Sequence, residues 1–507
     1  MMGLHSLDFV VLGCYFIVVA VIGICGARRI KGVEDYYMGG RRFGKAMMMM
    51  FAFGAGTHAD SAVGLVAESY KLGMAGIWYQ WSQLFNTPIY WLLSPVFRRA
   101  RCLTTGDLYE MRYGPSLGIL YAAWGVVINI GFLSVALFGS GRLVEGLTSQ
   151  SIPLRWIIIL MTIAFVSYSL LGGLIATVWN EFFQGTLTIV MSILLLPFLW
   201  HAVGGATGFR ASVPHAAGYL RMTAPGEIGL FWIVAVSLNL LLGFVAQPHI
   251  LSNNAAGRTE MDNRVGFTAG MILKRLCSVA WALAGVLAIA YYGSARVQAD
   301  HVFGSLIRDL LPTGFVGLML ACVVASMMDI GSVLMLSTSA LFTRNLLRRF
   351  RRTENQRLEL LFSRIFSLVY VSVSIWVALS FQNVPAALRF LMGLLPMIGI
   401  SFWLGLWWRR ANRYGAIASS LAATVAWIVG FYVFGWRGDA RFPYLVAFYL
   451  VAGLAVGILV SVVTQPESGY LLDRFYSTIN TPIGHEPILS SIESADCRSP
   501  KLRTRFK

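Results

Sequence analysis

Charged residues are scarce in this chain. They make up 12% of its 507 residues, and Asp and Glu together number only 23, whereas soluble domains carry about 25% charged residues. Many apolar stretches exceed about 18 residues, the length that a helix needs to cross a bilayer. Alternating segments of about ten residues, which membrane β-barrels require, are absent. The composition therefore predicts an all-α polytopic membrane protein and excludes an ordinary soluble domain.

Signatures of metal centres and zinc proteases are missing as well. The six cysteines are scattered without a CxxC pair, so neither a metal site nor a disulfide framework is indicated. The chain contains no HExxH sequence, which is the motif of zinc proteases. We therefore expect no enzyme, no cofactor and no appended catalytic domain.

Apolar runs divide the chain into about thirteen transmembrane helices. The predicted helices are 6–26, 46–70, 75–97, 117–145, 154–174, 179–203, 228–248, 266–292, 314–343, 361–381, 386–408, 413–435 and 443–465. Between them we predict a cytoplasmic interfacial helix in 103–114, an external loop at 204–227 and an external amphipathic helix in 294–313. The tail 466–507 is rich in Ser, Pro and mixed charge, so we expect a disordered cytoplasmic segment.

The net charge of +17 follows from where these helices leave their basic residues. About three quarters of the Lys and Arg residues fall in segments predicted to be cytoplasmic, as the positive-inside rule requires. These segments include 258–275, which ends on Lys274 and Arg275. The N-terminus is then outside and the C-terminus inside, in a multi-pass protein of the cell membrane. The charge reports topology, and nucleic acid is not expected as a partner.

Two predicted helices are interrupted at mid-membrane. The first, 46–70, contains Gly54, Gly56, Thr57, His58 and Asp60, and the second, 228–248, contains Asn239, Gly243, Gln247 and Pro248. They lie five helices apart, so they run in opposite directions. Paired discontinuous helices in two halves are typical of inverted-repeat transporters. We therefore predict that 46–203 and 228–408 are two inverted repeats, with a first helix and loop in 1–45 and two peripheral helices in 409–465.

Four motifs, in order along the chain, resemble those of the sodium:solute symporter family, which includes sodium/proline, sodium/glucose and sialic acid symporters. They are DYYMGGRRFG at 35–44, YSLLGGLIATVWNEFFQG at 168–185, STSALFTRNLLRR at 337–349 and LWWRRANRYGA at 406–416. The resemblance covers roughly residues 5–465. It implies a LeuT-type fold, whose core is ten helices in two inverted five-helix repeats.

The resemblance also implies a sodium site. Family members bind sodium where the broken second helix meets the ninth. The matching carbonyl positions here are Gly54 and Thr57 on the broken helix and Ser326 on the ninth. The pair of hydroxyl residues that completes the family site falls on Asp329 and Ile330, so a carboxylate stands in place of the two hydroxyls.

In some family members a further sodium site lies nearby, and its positions match Glu181 and Ser332. An alternative role for Glu181 is to stabilise a helix start at the cytoplasmic rim. Asp329 lies at mid-membrane, where an ionisable residue is functional by default. It is a candidate sodium ligand, with a protonatable acid and a structural hydrogen-bonded acid as alternatives.

Candidate solute contacts come from two sources. Asp60 is a candidate because it is an acid deep inside the interrupted helix. The resemblance to sugar-transporting members adds the positions that match their solute contacts: Ser61, Gln80, Gln83 and Asn239. The gating tyrosine of those members matches Leu242. Amides suit polyhydroxyl or zwitterionic solutes, while the alternative for Gln80 and Gln83 is to bridge neighbouring helices.

We therefore expect a secondary active transporter that carries out sodium-coupled symport of a small polar organic solute (a sugar, carboxylate or amino-acid-like molecule) by alternating access. Sodium is the expected coupling ion, and the partners are the solute, sodium and the lipid bilayer. The alternatives are a proton-coupled or uncoupled porter of the same fold and a transport-derived solute sensor.

Overall fold

The computed structural model describes residues 5–27, 43–102, 104–213, 216–244, 247–254, 256–293, 297–347, 356–438 and 440–483. These residues form helices and turns and no β-strand. Their α-helices, numbered in chain order, are α1 (Ser6–Ala27), α2 (Lys45–Gly56), α3 (Ala59–Leu72), α4 (Trp78–Trp81), α5 (Asn86–Ala100), α6 (Thr105–Tyr113), α7 (Pro115–Leu147), α8 (Leu154–Val203), α9 (Gly205–Ser212), α10 (Ala216–Tyr219), α11 (Leu230–Phe244), α12 (Pro248–Asn254), α13 (Glu260–Tyr292), α14 (Val302–Leu310), α15 (Phe315–Ala340), α16 (Gln356–Ser380), α17 (Val384–Leu394), α18 (Pro396–Trp407), α19 (Arg413–Ile428), α20 (Phe442–Val463) and α21 (Gly469–Asn480).

Among the described residues, eight helical segments are long and apolar enough to cross a membrane, and several shorter apolar helices accompany them. The all-α polytopic class is confirmed, while the number of thirteen spanning helices stays a prediction. Residues 35–42 and 348–349, which carry parts of two of the motifs, lie outside the described residues, as does the tail beyond 483.

Both predicted interruptions are present. Between α2 and α3, Thr57 and His58 adopt extended backbone conformations, with ψ angles of 99° and 165°. Gly54 and Gly56 precede this break, and glycine costs about 1 kcal/mol relative to alanine inside a helix. The second interruption separates α11 from α12, which begins at Pro248. Proline lacks a backbone N–H and is tolerated in the first turn of a helix, so Pro248 favours a new start here.

A further break divides the predicted helix 386–408, which the structure forms as α17 and α18. Leu395 separates the two helices, and Pro396 is the first residue of α18. The apolar run continues through this break without a polar residue. Leu395 keeps a helical backbone, with φ of −65° and ψ of −46°. Residues 384–407 form one apolar segment long enough to cross a membrane, which agrees with the predicted helix 386–408.

The secondary structure of α8 is continuous over 50 residues, a length of about 75 Å if the helix were straight. Its two ends nevertheless meet the same part of α7. Leu154 and Ile158 lie beside Gly141 of α7, and Met191 shares a cavity with Leu143 of α7. Both halves of α8 therefore contact α7 near its C-terminal end.

Burial separates core helices from peripheral ones. In α15 and its continuation to Leu347, 82% of the most apolar window is buried, and the corresponding value is 78% across α17 and α18. It is only 28% in both α16 and α20. The exposed apolar faces of α16 and α20 are suited to contact with lipid in a membrane. The core helices are those that surround the two breaks.

Two predictions about charged segments were wrong. Lys274 and Arg275 do not lie in a cytoplasmic loop but near the middle of α13, where both side chains are buried. The tail is not disordered over Gly469–Asn480, since this stretch forms α21 and buries Leu472 and Phe475. Those two side chains lie on one face of the helix, three residues apart.

Short helices lie between the spanning ones, as the sequence predicts for 103–114 and 294–313. Thr104 and Asp107 form a capping box at the start of α6, which is the sequence signal for such a helix start.

Ahead of α14, Asp300 accepts a hydrogen bond from the Val384 N–H at 3.1 Å. Burial raises the pKa of Asp300 above its usual value, although that hydrogen bond and Lys71 favour the carboxylate. The predicted loop 204–227 contains α9 and α10.

Candidate functional site

The first break forms one wall of a cavity of about 40 Å³. Thr57 and His58 face it from the break, Ser326 from α15, Ser192 from α8 and Trp281 from α13. A single water needs about 10–15 Å³, so the cavity has room for a small ion and a water or two. The structure therefore brings the two predicted halves of the sodium site, the break and the ninth predicted helix, to one space.

Oxygen atoms at this cavity are available for a cation. The hydroxyl of Thr57 is buried and, within the described residues, has no hydrogen-bond partner. The Ser326 hydroxyl donates to the Val323 carbonyl at 2.9 Å, which leaves its oxygen lone pairs free to accept. Carbonyl and hydroxyl oxygens are the ligands that hard cations prefer. The donor set fits sodium.

The other predicted ion ligands on α15 follow Ser326 along the same helix. Asp329 lies three residues beyond Ser326, a spacing that puts the two on neighbouring turns of one face; its side chain is outside the described part of the chain. Ser332 is buried and donates to the Met328 carbonyl at 2.6 Å. Ile330, the second of the matched hydroxyl positions, is also buried.

Glu181 does not lie at a solvated rim. Glu181 is only 2% exposed, and its carboxylate packs against the backbone of Gly54. A Cβ atom on Gly54 would lie 1.5 Å from Glu181 Oε2. A side chain at position 54 would therefore displace the carboxylate, and this contact brings Glu181 of α8 to the end of α2.

Asp60 and Ser61 lie in the first turn of α3 and are both buried. The backbone of Asp60 packs against Gly139 of α7, where a Cβ would lie 2.5 Å from the Asp60 Cα. The Oδ1 atom of Asp60 is buried and has no hydrogen-bond partner in the described structure. An unpartnered carboxylate oxygen inside a membrane protein costs free energy unless a ligand or ion engages it.

Gln80 lies in α4, and Gln83 lies in the turn between α4 and α5. The predicted helix 75–97 breaks between α4 and α5, where the Ser82 hydroxyl hydrogen-bonds to the Trp78 carbonyl at 2.5 Å. Such back-bonding by serine competes with regular helix geometry. Gln83 receives hydrogen bonds from Arg275 at its carbonyl (3.4 Å) and at its side-chain oxygen (3.3 Å). The Gln80 side-chain oxygen is buried without a partner among the described residues.

Asn239 lies away from the first break. Its amide nitrogen donates to the Met392 carbonyl of α17 at 2.9 Å, and its amide oxygen accepts from the Tyr449 hydroxyl of α20 at 2.6 Å. These bonds tie α11 to two other helices. Gln247, by contrast, lies at the second break with both amide atoms buried and unpartnered within the described residues.

The principal residue that sequence reasoning missed is Lys274. Its side chain is buried on α13, and its ammonium group donates a hydrogen bond to the Gly56 carbonyl at the first break. It interacts electrostatically with Asp60 and His58. The sequence did contain a signal for a buried lysine, because Lys274 lies eight residues inside the predicted helix 266–292. It was missed because Lys274 was counted among the cytoplasmic charges.

Residues 36–423 match the sodium:solute symporter family, a stretch that includes both breaks and all the predicted ion ligands. This chain belongs to that family. The high-affinity proline transporter of Bacillus subtilis (strain 168) is 25% identical to this symporter over 485 residues, which cover 90% of this chain and 98% of the relative. The sodium/pantothenate symporter of Escherichia coli (strain K12) is 24% identical over 443 residues, 82% of this chain and 89% of the relative.

A solved structure also resembles the symporter. A sodium-coupled sialic acid symporter in a substrate-bound, outward-open state superimposes with a TM-score of 0.78 and 16% identity, over 92% of this chain and 99% of that one. The fold is thus of LeuT type. The family establishes a multi-pass membrane transporter, not an enzyme, that couples the symport of a small solute to sodium. The predicted family, fold class and general function are confirmed.

Proposed function

We propose that sodium binds at the first break, between the carbonyls of Gly54 and Thr57 and the Ser326 and Asp329 positions of α15. The shared cavity and the unpartnered Thr57 hydroxyl support this placement. A carboxylate at Asp329 supplies a full negative charge where the family uses two neutral hydroxyls, so it compensates for the apolar side chain at Ile330.

Glu181 and Ser332 form a second part of the proposed ion site. The carboxylate of Glu181 lies against Gly54, and Ser332 lies six residues beyond Ser326 on α15. A sodium ion near Gly54 is attracted by the Glu181 carboxylate, because the interaction of buried charges is weakly screened. Glu181 therefore either completes the first site or holds a further ion beside it.

We propose that the solute binds next to these ions, at Asp60, Ser61, Gln80 and Gln83, with Gln247 reaching it from the second break. The buried and unpartnered oxygens of Asp60, Gln80 and Gln247 support this set, since a polar solute would satisfy them. The sequence-based proposal also included Asn239. Its amide is engaged by Met392 and Tyr449, which favours a role in helix packing instead.

The two repeats, 46–203 and 228–408, are proposed to move relative to each other in alternating access. Equivalent contacts support the division, because the broken first helix of each repeat packs a glycine against its last helical region: Gly54 against Glu181, and Gly243 against Leu395 and Pro396. Sodium at the break would favour whichever state completes its ligand set, and its effect equals its difference in affinity between states.

The proposed orientation places the N-terminus outside and the C-terminus in the cytoplasm. The excess of basic residues in the predicted inner segments supports it, and it persists when Lys274 and Arg275 are assigned to the membrane interior. A cysteine introduced by Ser6→Cys should react with a membrane-impermeant maleimide in intact cells. Protection until the cells are opened would reverse the proposed orientation.

The sodium site is tested by thermal unfolding of the purified protein as NaCl replaces choline chloride at constant ionic strength. We expect Asp329→Asn to raise the half-saturating sodium concentration at least about tenfold, which corresponds to about 1.4 kcal/mol. Ser326→Ala should act in the same direction. The control is Ser372→Ala, which removes an exposed hydroxyl on α16. A wild-type sodium response in both site variants would place the ion elsewhere.

The solute is sought in the same assay with the solutes named by relatives: proline, pantothenate, glucose and sialic acid. Each is added with and without sodium. Symport predicts that the solute which binds stabilises the protein more strongly when sodium is present, because coupled ligands raise each other's affinity by the same factor. Stabilisation that is independent of sodium would contradict binding next to the ion.

A further inference from the structure

Lys274 occupies an unusual position for a lysine. It lies near the middle of α13 and is 4% exposed. An ionisable group at membrane depth costs about 2.5–3.5 kcal/mol on insertion scales. Its ammonium group donates to the carbonyl of Gly56, the last residue of α2. A carbonyl at a helix end has no partner within its helix, so this oxygen is one that the break makes available to a cation.

An anionic partner lies on the other side of the break. Asp60 is 6% exposed, and its Oδ1 atom has no hydrogen-bond partner in the described part of the protein. Asp60 and Lys274 interact electrostatically, and His58 lies between Gly56 and Asp60 along the chain at the break. The Gly56 carbonyl and the Asp60 carboxylate are oxygen donors, which together are the kind of ligand set that binds a hard cation.

We propose that Gly56 and Asp60 form a further cation site at the break, and that the Lys274 ammonium group, held on the Gly56 carbonyl, occupies its place instead of a metal ion. Lys274 is then a tethered cation. Its charge offsets that of Asp60 through space, its ammonium group holds the free carbonyl at the end of α2, and it repels any sodium that would enter beside it. This inference rests on the proposed sodium site at Gly54, Thr57 and Ser326, because that is the ion the tethered charge would face.

A purely structural role for Lys274 makes different predictions. A cation near the C-terminal end of α2 stabilises the helix dipole, and that role alone explains the hydrogen bond to Gly56. It does not involve the unpartnered oxygen of Asp60. If Lys274 only stabilises α2, its replacement changes thermal stability and leaves the number of bound sodium ions unchanged.

Arg275 is a matched control for the tethered charge. It is the next residue of α13 and is equally buried. Its guanidinium group donates to the carbonyl and side chain of Gln83 rather than to the break. Removing the charge at Arg275 therefore removes one buried positive charge from the same helix without vacating the proposed cation site.

The test is equilibrium binding of radioactive sodium to the purified full chain, without solute. We expect Lys274→Gln to bind one more sodium ion per chain than the wild type and to lower the half-saturating sodium concentration about tenfold, since a repelling charge within the site is lost. Lys274→Arg and Arg275→Gln should both match the wild-type stoichiometry. A folded Lys274→Gln variant with wild-type stoichiometry and half-saturation would overturn the proposal.

If Lys274→Gln does not fold, Asp60→Asn provides the second measurement. It leaves the ammonium charge uncompensated, so the half-saturating sodium concentration should rise about tenfold; an unchanged value would also overturn the proposal. A result that rejects the tethered cation can be distinguished from one that rejects the proposed sodium site. Normal sodium binding that is weakened by Asp329→Asn and insensitive to Lys274 and Asp60 would retain the site and reject the tethered cation.

Discussion

The two broken helices differ in what surrounds their glycines. At the first break, Gly54 packs against the end of the Glu181 side chain, and the neighbouring residues are ionisable: His58, Asp60 and, from α13, Lys274. At the second break, Gly243 packs against backbone and Cβ atoms of Leu395 and Pro396. The first contact is with a movable carboxylate, and the second is with a rigid helix junction.

This difference indicates that the two broken helices have different roles. A carboxylate beside a broken helix can shift when a cation arrives, because its terminal torsion is soft. Backbone atoms in a packed core cannot shift without moving the helix that holds them. The first break is therefore suited to ion binding, and the second to holding α11 against α18.

The largest effect is expected from a methyl group at the first glycine. In Gly54→Ala the new Cβ would lie 1.5 Å from Glu181 Oε2, so the carboxylate must move from the ion site. We expect half-saturating sodium to rise roughly ten- to a hundredfold, which corresponds to about 1.4–2.8 kcal/mol, with a smaller change in thermal stability. Sodium-dependent thermal unfolding measures both.

The control for this variant is Gly13→Ala in α1, where a Cβ would have no atom within 4 Å. It should leave sodium binding at the wild-type level. If Gly54→Ala also binds sodium normally, Glu181 is not part of the ion site. The two breaks would then not differ in ion binding.

A methyl group at the second glycine should give an intermediate effect of a different kind. In Gly243→Ala the Cβ would lie 2.6 Å from Leu395 Cβ and 2.7 Å from Pro396 N. Overpacking of this type costs about 1–3 kcal/mol. We expect a lower unfolding temperature and unchanged half-saturating sodium, with Gly229→Ala, which meets no atom within 4 Å, as the neutral control. Weaker sodium binding at unchanged stability would contradict the assignment of the two breaks.

The smallest effect should come from the hydrogen bond that anchors α11. Tyr449→Phe removes the donor to the Asn239 amide oxygen, a bond of 2.6 Å, and should lower the free energy of unfolding by about 1 kcal/mol. Sodium binding should not change. The matched control is Tyr444→Phe on the same helix, since Tyr444 is 54% exposed. Loss of solute binding at normal stability in Tyr449→Phe would return Asn239 to the solute site.

Several features of the fold could be predicted from local sequence. Glycine and polar residues inside apolar runs located both breaks, because few other arrangements tolerate them at membrane depth. The capping residues Thr104 and Asp107 marked the start of α6. The prediction failed where the local signal was weak: α21 lies in a tail that was expected to be disordered, and it has only three buried side chains.

The candidate site was predictable in part. Thr57 and Ser326 are 269 positions apart, and only the resemblance to a known family paired them; the structure brings them to one cavity. Asn239 is polar and close to the second break, so its residue type suits a solute contact. Its partners Met392 and Tyr449 come from distant helices, and nothing near Asn239 in the sequence indicates them.

The sequence by itself determined the membrane class, the two interruptions and the family, because these depend on residue type and on spacing along the chain. Only the tertiary structure decided which polar groups face one another. It turned Lys274 from a presumed cytoplasmic charge into a buried cation on the Gly56 carbonyl, and it placed the Glu181 carboxylate against Gly54. Charge pairing depends on distances in space, and those distances are set by how α2, α8 and α13 pack.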